Sequence, residues 1–203
     1  MNQKISLIVP MIFCLVFAVP AISKASLVTD EVKSTVDQVI KIVSDKELKK
    51  PSNEQKRRQE LKTAIGRIFD YREMAKRSMG IHWRSLTPAQ KNDFVGLFST
   101  LLENSYSGKI ESYNQEKIVY DRENVEGSYA EVDSRVITPK RDEYSLDYRL
   151  LKEGNKWMIY DVVIEGVSLV SNYRTQFNKI INEQGYNELV KKMRTKSEEI
   201  NAP

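Results

Sequence analysis

The residues able to do chemistry in this 203-residue chain are few. It holds one histidine, His82, and one cysteine, Cys14. A histidine metal site needs several ligands, and a catalytic triad needs a nucleophile and an acid partner that the sequence does not supply for His82. His82 beside Trp83 reads instead as a structural pair at a helix end. No glycine-rich loop of the phosphate-binding kind follows a strand. Asp161 and Glu165 flank the end of an apolar run and could be proposed as acid and base. The simpler reading pairs Asp161 with an arginine and has Glu165 cap or orient the following helix, because structural pairing also perturbs carboxylates. The expectation is a protein that is not an enzyme and has no metal or cofactor. What remains is a surplus of apolar bulk. Phe69, Met74, Met79, Phe94, Phe98, Tyr148 and Tyr173 either fill space or line it, and soft thioethers and rings suit both tasks.

These residues must be positioned by an ordered set of elements. Met1–Lys4 is short and basic, Ile5–Val19 is almost wholly apolar, and Ser23-Lys24-Ala25 offers small residues for signal peptidase. Residues 1–25 therefore read as a cleaved secretory signal, too short in its apolar run to span a membrane. Phe13 before Cys14 argues against lipid attachment there. Residues 26–203 are long enough for one domain with a substantial core. That domain has no cysteine, so no disulfide. Two lysines leave with the leader and no acid does, so the net charge of +4 overstates the basicity of the mature chain. No basic stripe is interleaved with aromatics, and nucleic-acid binding is not expected.

Val28, Val32, Val36, Val39, Ile40 and Val43 recur at helical spacing and predict a helix over Leu27–Ser44. Ser52 with Gln55 predicts a capping box for a second helix, and Asp70 with Glu73 another for a short helix ended by Gly80. Thr87-Pro88-Ala89-Gln90 is the strongest local signal: an N-cap threonine, a first-turn proline and a glutamine at the third position. The helix it opens carries Phe94, Leu97, Phe98, Leu101, Leu102 and Tyr106. From about Gln115 the period falls to two, and four strands with short turns read as an antiparallel meander. Lys156–Ile164 is apolar on both faces and should be its most buried strand. After Gly166, a stripe of Leu169, Val170, Tyr173, Phe177, Ile180 and Ile181 returns the chain to helix, closed by Gly185. A last helix sets Leu189, Val190 and Met193 against a basic side. Helices, strands and helices in that order define an α+β class.

The run from Lys156 to Arg174, KWMIYDVVIEGVSLVSNYR, resembles the signature of the MlaC family, also called the toluene-tolerance auxiliary proteins. Phe69-Asp70-Tyr71 through Gly80 agrees, as do Trp83, Leu86-Thr87-Pro88-Ala89-Gln90 and the Phe94/Phe98 helix. The resemblance covers nearly all of the mature chain, although residues Gln115–Arg141 carry no recognisable motif of it. It implies a twisted four-stranded antiparallel sheet wrapped by N- and C-terminal helices around an apolar cavity that takes the acyl chains of a phospholipid. It further implies a periplasmic shuttle that moves phospholipid between outer and inner membranes and maintains outer-membrane lipid asymmetry. The implied partners are an inner-membrane ABC transporter, reached through its MCE-domain subunit, and an outer-membrane lipoprotein–porin complex. Phospholipid would be cargo, not cofactor.

On that resemblance Val163, Val167, Val170 and Tyr173 should line the cavity at the strand–helix corner. Phe94, Phe98 and Leu101 should form the opposite wall, Met74 and Met79 the mouth, and Tyr148 a further lining position. A phospholipid exposing ~30 methylenes to water would be disfavoured by roughly 24 kcal/mol at ~0.8 kcal/mol each, so a shielded route is physically required. Three other classes stay open on the residues alone, one of them an enzyme on a similar fold with Asp161 and Glu165 as its polar pair. The second is a periplasmic chaperone or binding module for another apolar ligand, and the third an adaptor with a solid core and a basic docking helix.

Overall fold

The structure, a computed structural model, describes residues 27–201. The proposed leader, residues 1–25, lies outside them. Helix α1 (Leu27–Ser44) is followed by a 3-10 turn (Pro51–Asn53), α2 (Glu54–Ile65), α3 (Tyr71–Met79), a second 3-10 turn (Gly80–Ser85) and α4 (Pro88–Glu111). Strands β1 (Lys117–Glu126), β2 (Tyr129–Ile137), β3 (Glu143–Glu153), β4 (Lys156–Ile164) and β5 (Val167–Ser168) come next, then α5 (Leu169–Gln184) and α6 (Tyr186–Asn201). The five strands form one antiparallel sheet in sequence order.

The sheet has five strands where the sequence predicts four. The fifth is two residues long, too short for any alternation to reveal. It forms because Glu165 and Gly166 both take positive φ (50° and 75°), joining Ile164 to Val167 by a two-residue reversal. Left-handed backbone at both central residues is what a primed hairpin turn requires, and glycine supplies the second without strain.

Helix ends follow their local chemistry. Thr87 Oγ1 accepts from the Gln90 backbone N–H at 3.2 Å, and the Gln90 side chain accepts from the Thr87 N–H at 2.9 Å. Asp70 accepts from the Glu73 N–H at 2.9 Å. The expected Ser52/Gln55 box does not form. Pro51 starts a 3-10 turn through Ser52, and Asn53 becomes the N-cap of α2 without a side-chain bond.

Three apolar clusters hold the elements. In the first, Val28 and Val32 of α1 lie on the sheet against Ala130, Val132, Tyr148, Leu150, Trp157 and Ile159. Polar contacts fix this placement: Thr29 N–H donates to Glu123 at 2.9 Å, and Glu31 accepts from the Trp157 N–H at 3.1 Å. The second packs the far half of α1 on α2 through Ile42, Val43, Leu48, Leu61 and Ala64. The third lies among α3, α4, α5 and α6. Between the sheet and this third cluster, Ile68–Asp70 runs along β4: Ile159 N–H donates to the Ile68 carbonyl at 2.6 Å, and Asp70 N–H to the Ile159 carbonyl at 2.9 Å. Strand β4, with Trp157, Ile159, Asp161, Val162 and Val163 buried, is the best-covered strand of the sheet.

Candidate apolar binding site

Helix α3 contributes Met74, Ala75 and Met79 to the third cluster, and α4 contributes Phe94, Phe98, Leu101 and Leu102. The spacing of the α4 residues, three and four apart, puts them on one face. Helix α5 adds Val170 and Phe177, and α6 adds Leu189 and Met193. Tyr173 packs against the cluster half-buried. The rings interlock. Phe98 lies 5.3 Å from Tyr173 and 5.9 Å from Phe177, both edge to face, and 6.1 Å from Phe94 in a stacked arrangement. Phe94 also meets Phe177 edge to face at 5.7 Å. Such geometries satisfy the ring quadrupoles as well as burying area. Phe94 and Phe98 have no exposed surface.

The structure thus brings seven of the ten expected site residues together: Met74, Met79, Phe94, Phe98, Leu101, Val170 and Tyr173. Tyr148 lies in the sheet–α1 cluster instead. Val163 is buried in β4, paired across the sheet with Asp147 and Ser168. Val167 differs most: it is 56% exposed, because the two-residue β5 turns it away from the helices. Phe69 packs against both clusters and so marks the seam between helices and sheet. Leu86, Phe177, Leu189 and Met193 belong to the helical cluster although they are not among the ten expected site residues; Phe177, Leu189 and Met193 stand in apolar stripes visible in the sequence.

The surroundings of the interior are apolar enough to hold phenols neutral. Burial pushes the Tyr173 and Tyr71 hydroxyls up from their ordinary value, with the Glu103 carboxylate adding to the effect on Tyr71. At the rim, the Arg77 guanidinium stacks 4.0 Å over Tyr160 and is held by Glu73 at 2.9 Å. Two clefts open at the surface, one of about 490 Å³ between α4 and α6 and one of about 390 Å³ between α1 and α2. Polar side chains such as Asp93, Arg194, Lys41 and Arg67 line them, and none of the ten expected residues does.

The carboxylates with catalytic potential are structurally engaged. Asp161 accepts from Ser168 Oγ at 2.6 Å and from the Val170 N–H at 3.0 Å, and meets Arg149 at 3.5 Å. Asp161 therefore anchors the start of α5, the task expected of Glu165. Glu165 instead accepts from the Ser145 N–H on β3. Among the described residues no group of three or more histidine, cysteine, aspartate or glutamate side chains could hold a metal ion. No described helix is long and apolar enough to cross a membrane.

An antiparallel sheet with α3 and α5 against β4, and α4 and α6 packed on those helices around an aromatic-rich interior, makes this an α+β domain with an apolar helical core. The chain belongs to the MlaC protein family, whose model matches residues 33–195. It is 28% identical over 120 residues to the intermembrane phospholipid transport system binding protein MlaC of Haemophilus influenzae, covering 57% of this chain and 56% of that protein. It is 25% identical over 127 residues to the toluene tolerance protein ttg2D of Pseudomonas putida, covering 62% of this chain and 59% of that one. The chain thus spans somewhat over half the length of these curated relatives. A phospholipid-binding protein of Ralstonia solanacearum, solved in complex with a phospholipid, superposes with a TM-score of 0.77 at 27% identity, over 85% of this chain and 98% of that one.

Proposed function

We propose that this protein binds a phospholipid by its acyl chains and carries it through the periplasm between the two membranes. The single observation that carries the reading is the interlocked apolar cluster of α3–α6, set in a fold that matches a phospholipid-bound protein over 98% of that protein's length. Met74, Met79, Phe94, Phe98, Leu101, Val170 and Tyr173 form the walls, with Val163 and Tyr148 on the sheet side, while Val167, turned to solvent, stays outside the lining. Chains enter by parting these side chains, so that ring–ring contacts are exchanged for ring–chain contacts of similar dispersion energy. Residues 1–25 direct export and are removed. Loading and unloading occur at an outer-membrane lipoprotein–porin complex and at an inner-membrane ABC transporter reached through its MCE-domain subunit. The protein performs no covalent chemistry on its cargo and uses no cofactor.

Native mass spectrometry of the mature protein purified from the periplasm, with bound material extracted and identified, tests this. Stoichiometric phospholipid is expected. A ligand-free mass that stays unchanged after incubation with phospholipid vesicles would overturn the reading, and a different stoichiometric apolar molecule would favour a carrier or chaperone for that molecule.

A further inference from the structure

We propose that the Ser78 hydroxyl is a ligand-binding group that donates a hydrogen bond to an ester carbonyl of the bound phospholipid. The inference rests on the reading that the helical cluster takes acyl chains, and deepens it by naming the polar contact.

Ser78 has no exposed surface, and its Oγ finds no hydrogen-bond partner. A buried hydroxyl without a partner is unfavourable and calls for an explanation. Helical hydroxyls normally avoid this state by bonding back to their own helix. Others in this chain do so: Thr63 to the Gln59 carbonyl at 2.9 Å, Thr100 to Gly96 at 3.0 Å, and Thr175 to Ser171 at 3.1 Å. Buried Ser134, on β2, donates across the sheet to the Leu146 carbonyl of β3. Ser78 does not use this outlet. It lies one turn beyond Met74 and next to Met79, among the buried residues of α3. Its hydroxyl is thus a buried, unpaired donor on the helix that supplies Met74, Ala75 and Met79 to the apolar cluster.

The chemistry of the acceptor follows from what surrounds it. The buried polar or charged residues described are Ser78, Ser134, Asp161 and Ser197, and none is a cation. A phosphate or a free carboxylate at Ser78 would therefore be a buried charge without a counter-charge, which is strongly disfavoured. A neutral carbonyl is the fitting acceptor. In a phospholipid the ester carbonyls stand where the apolar chains begin. A single donor there fixes how deep the chains insert while leaving chain length and head group unread. The competing account is packing alone: a small residue lets α3 approach α5 closely, as it does at Gly80, where an added Cβ would come within 3.3 Å of the Arg174 side chain.

The test compares diester and diether phosphatidylethanolamine with identical chains, bound to the wild-type mature protein and to Ser78→Ala, by competition native mass spectrometry. The wild type should prefer the diester by roughly 3- to 10-fold, the worth of one neutral hydrogen bond. In Ser78→Ala the preference should collapse to near unity, with diether binding unchanged. The lipid-free variant should melt at or above the wild-type midpoint, since an unpaired donor has been removed. A wild type that does not discriminate, or a variant that still does, would overturn the assignment, as would a clear fall in midpoint pointing to packing alone. Failure of the wild type to bind either lipid would bring down the phospholipid reading itself.

Discussion

Truncating Phe98 to alanine probes how the apolar interior is held together. The ring is fully buried and touches Phe94, Tyr173 and Phe177 in stacked or edge-to-face geometry. Phe→Ala in a close-packed core costs ~3–5 kcal/mol, combining lost transfer energy with the void left behind. That is a large share of a domain stability of roughly 5–15 kcal/mol. At ~2–4 °C per kcal/mol for a domain of this size, the midpoint should fall by roughly 6–20 °C. Urea and thermal unfolding of the lipid-stripped protein measure this, and an unchanged urea m-value would confirm that only stability has changed. The same pair is then loaded with phospholipid. Saturation at about a hundred times Kd adds ~2.7 kcal/mol to any binder, and the variant should gain more, because a chain can occupy the space the ring has left. The gap between wild type and variant should thus narrow on loading. A loss below ~1 kcal/mol without lipid would show that Phe98 is not packed as described. An equal gap with and without lipid would remove Phe98 from the binding wall.

Val167→Asp should leave stability within ~0.5 kcal/mol and lipid retention intact, because the side chain is 56% exposed; loss of lipid from a folded variant would return Val167 to the lining. Thr87→Ala removes half of the capping box at the start of α4 and should cost ~1 kcal/mol, with faster hydrogen exchange in the first turn; unchanged exchange there would contradict the cap. Asp147→Asn tests a carboxyl pushed above its usual range mainly by burial and further by Asp133 and Glu131, against a bond accepted from the Ser134 N–H. A folded-state pKa above the unfolded one means that the fold favours the protonated acid, so stability is full below the ordinary carboxylate range and declines as pH rises through the folded value. The variant should be the more stable at neutral pH, with its advantage vanishing towards pH ~4. No advantage at neutral pH would refute the account.

Periodicity made much of this architecture legible. The valine spacing of α1 set both its ends, and Thr87-Pro88-Ala89-Gln90 placed the start of α4, because these signals are local and unopposed. The failures have physical causes as specific as the successes. Ser52 lost its cap because Pro51 favours a 3-10 turn that carries the chain one residue further. Strand β5 escaped because two residues have no period. The exposure of Val167 was hidden for the same reason: apolar character at a corner does not reveal which way a short strand turns. Asp161 keeps its expected arginine, Arg149, and also takes the helix-anchoring task expected of Glu165, because the tight reversal after Ile164 brings the start of α5 back to β4. Ser78 left no mark at all. A serine within a helical stripe reads as tolerated polarity, and only its fully buried, unbonded hydroxyl sets it apart.

The interlocked packing of the interior bears on how a carrier releases what it binds. Under the proposed reading, ~30 methylenes leave a bilayer that already shelters them, so the gross ~24 kcal/mol of hydrophobic shielding cancels between donor and carrier. The residue of that cancellation is set by the protein. Parting Phe94, Phe98, Tyr173 and Phe177 sacrifices edge-to-face contacts of ~0.5–1.5 kcal/mol each, and ring–chain contacts return a similar dispersion energy. Binding is then poised near balance, and a single hydrogen bond at the head of the chains is enough to tilt it. A deep, rigid, permanently open pocket would lack that opposing term and would hold its lipid too firmly to hand it on. An interior that repacks on itself lowers the barrier to release, and leaves the direction of traffic to whatever consumes the lipid at either membrane.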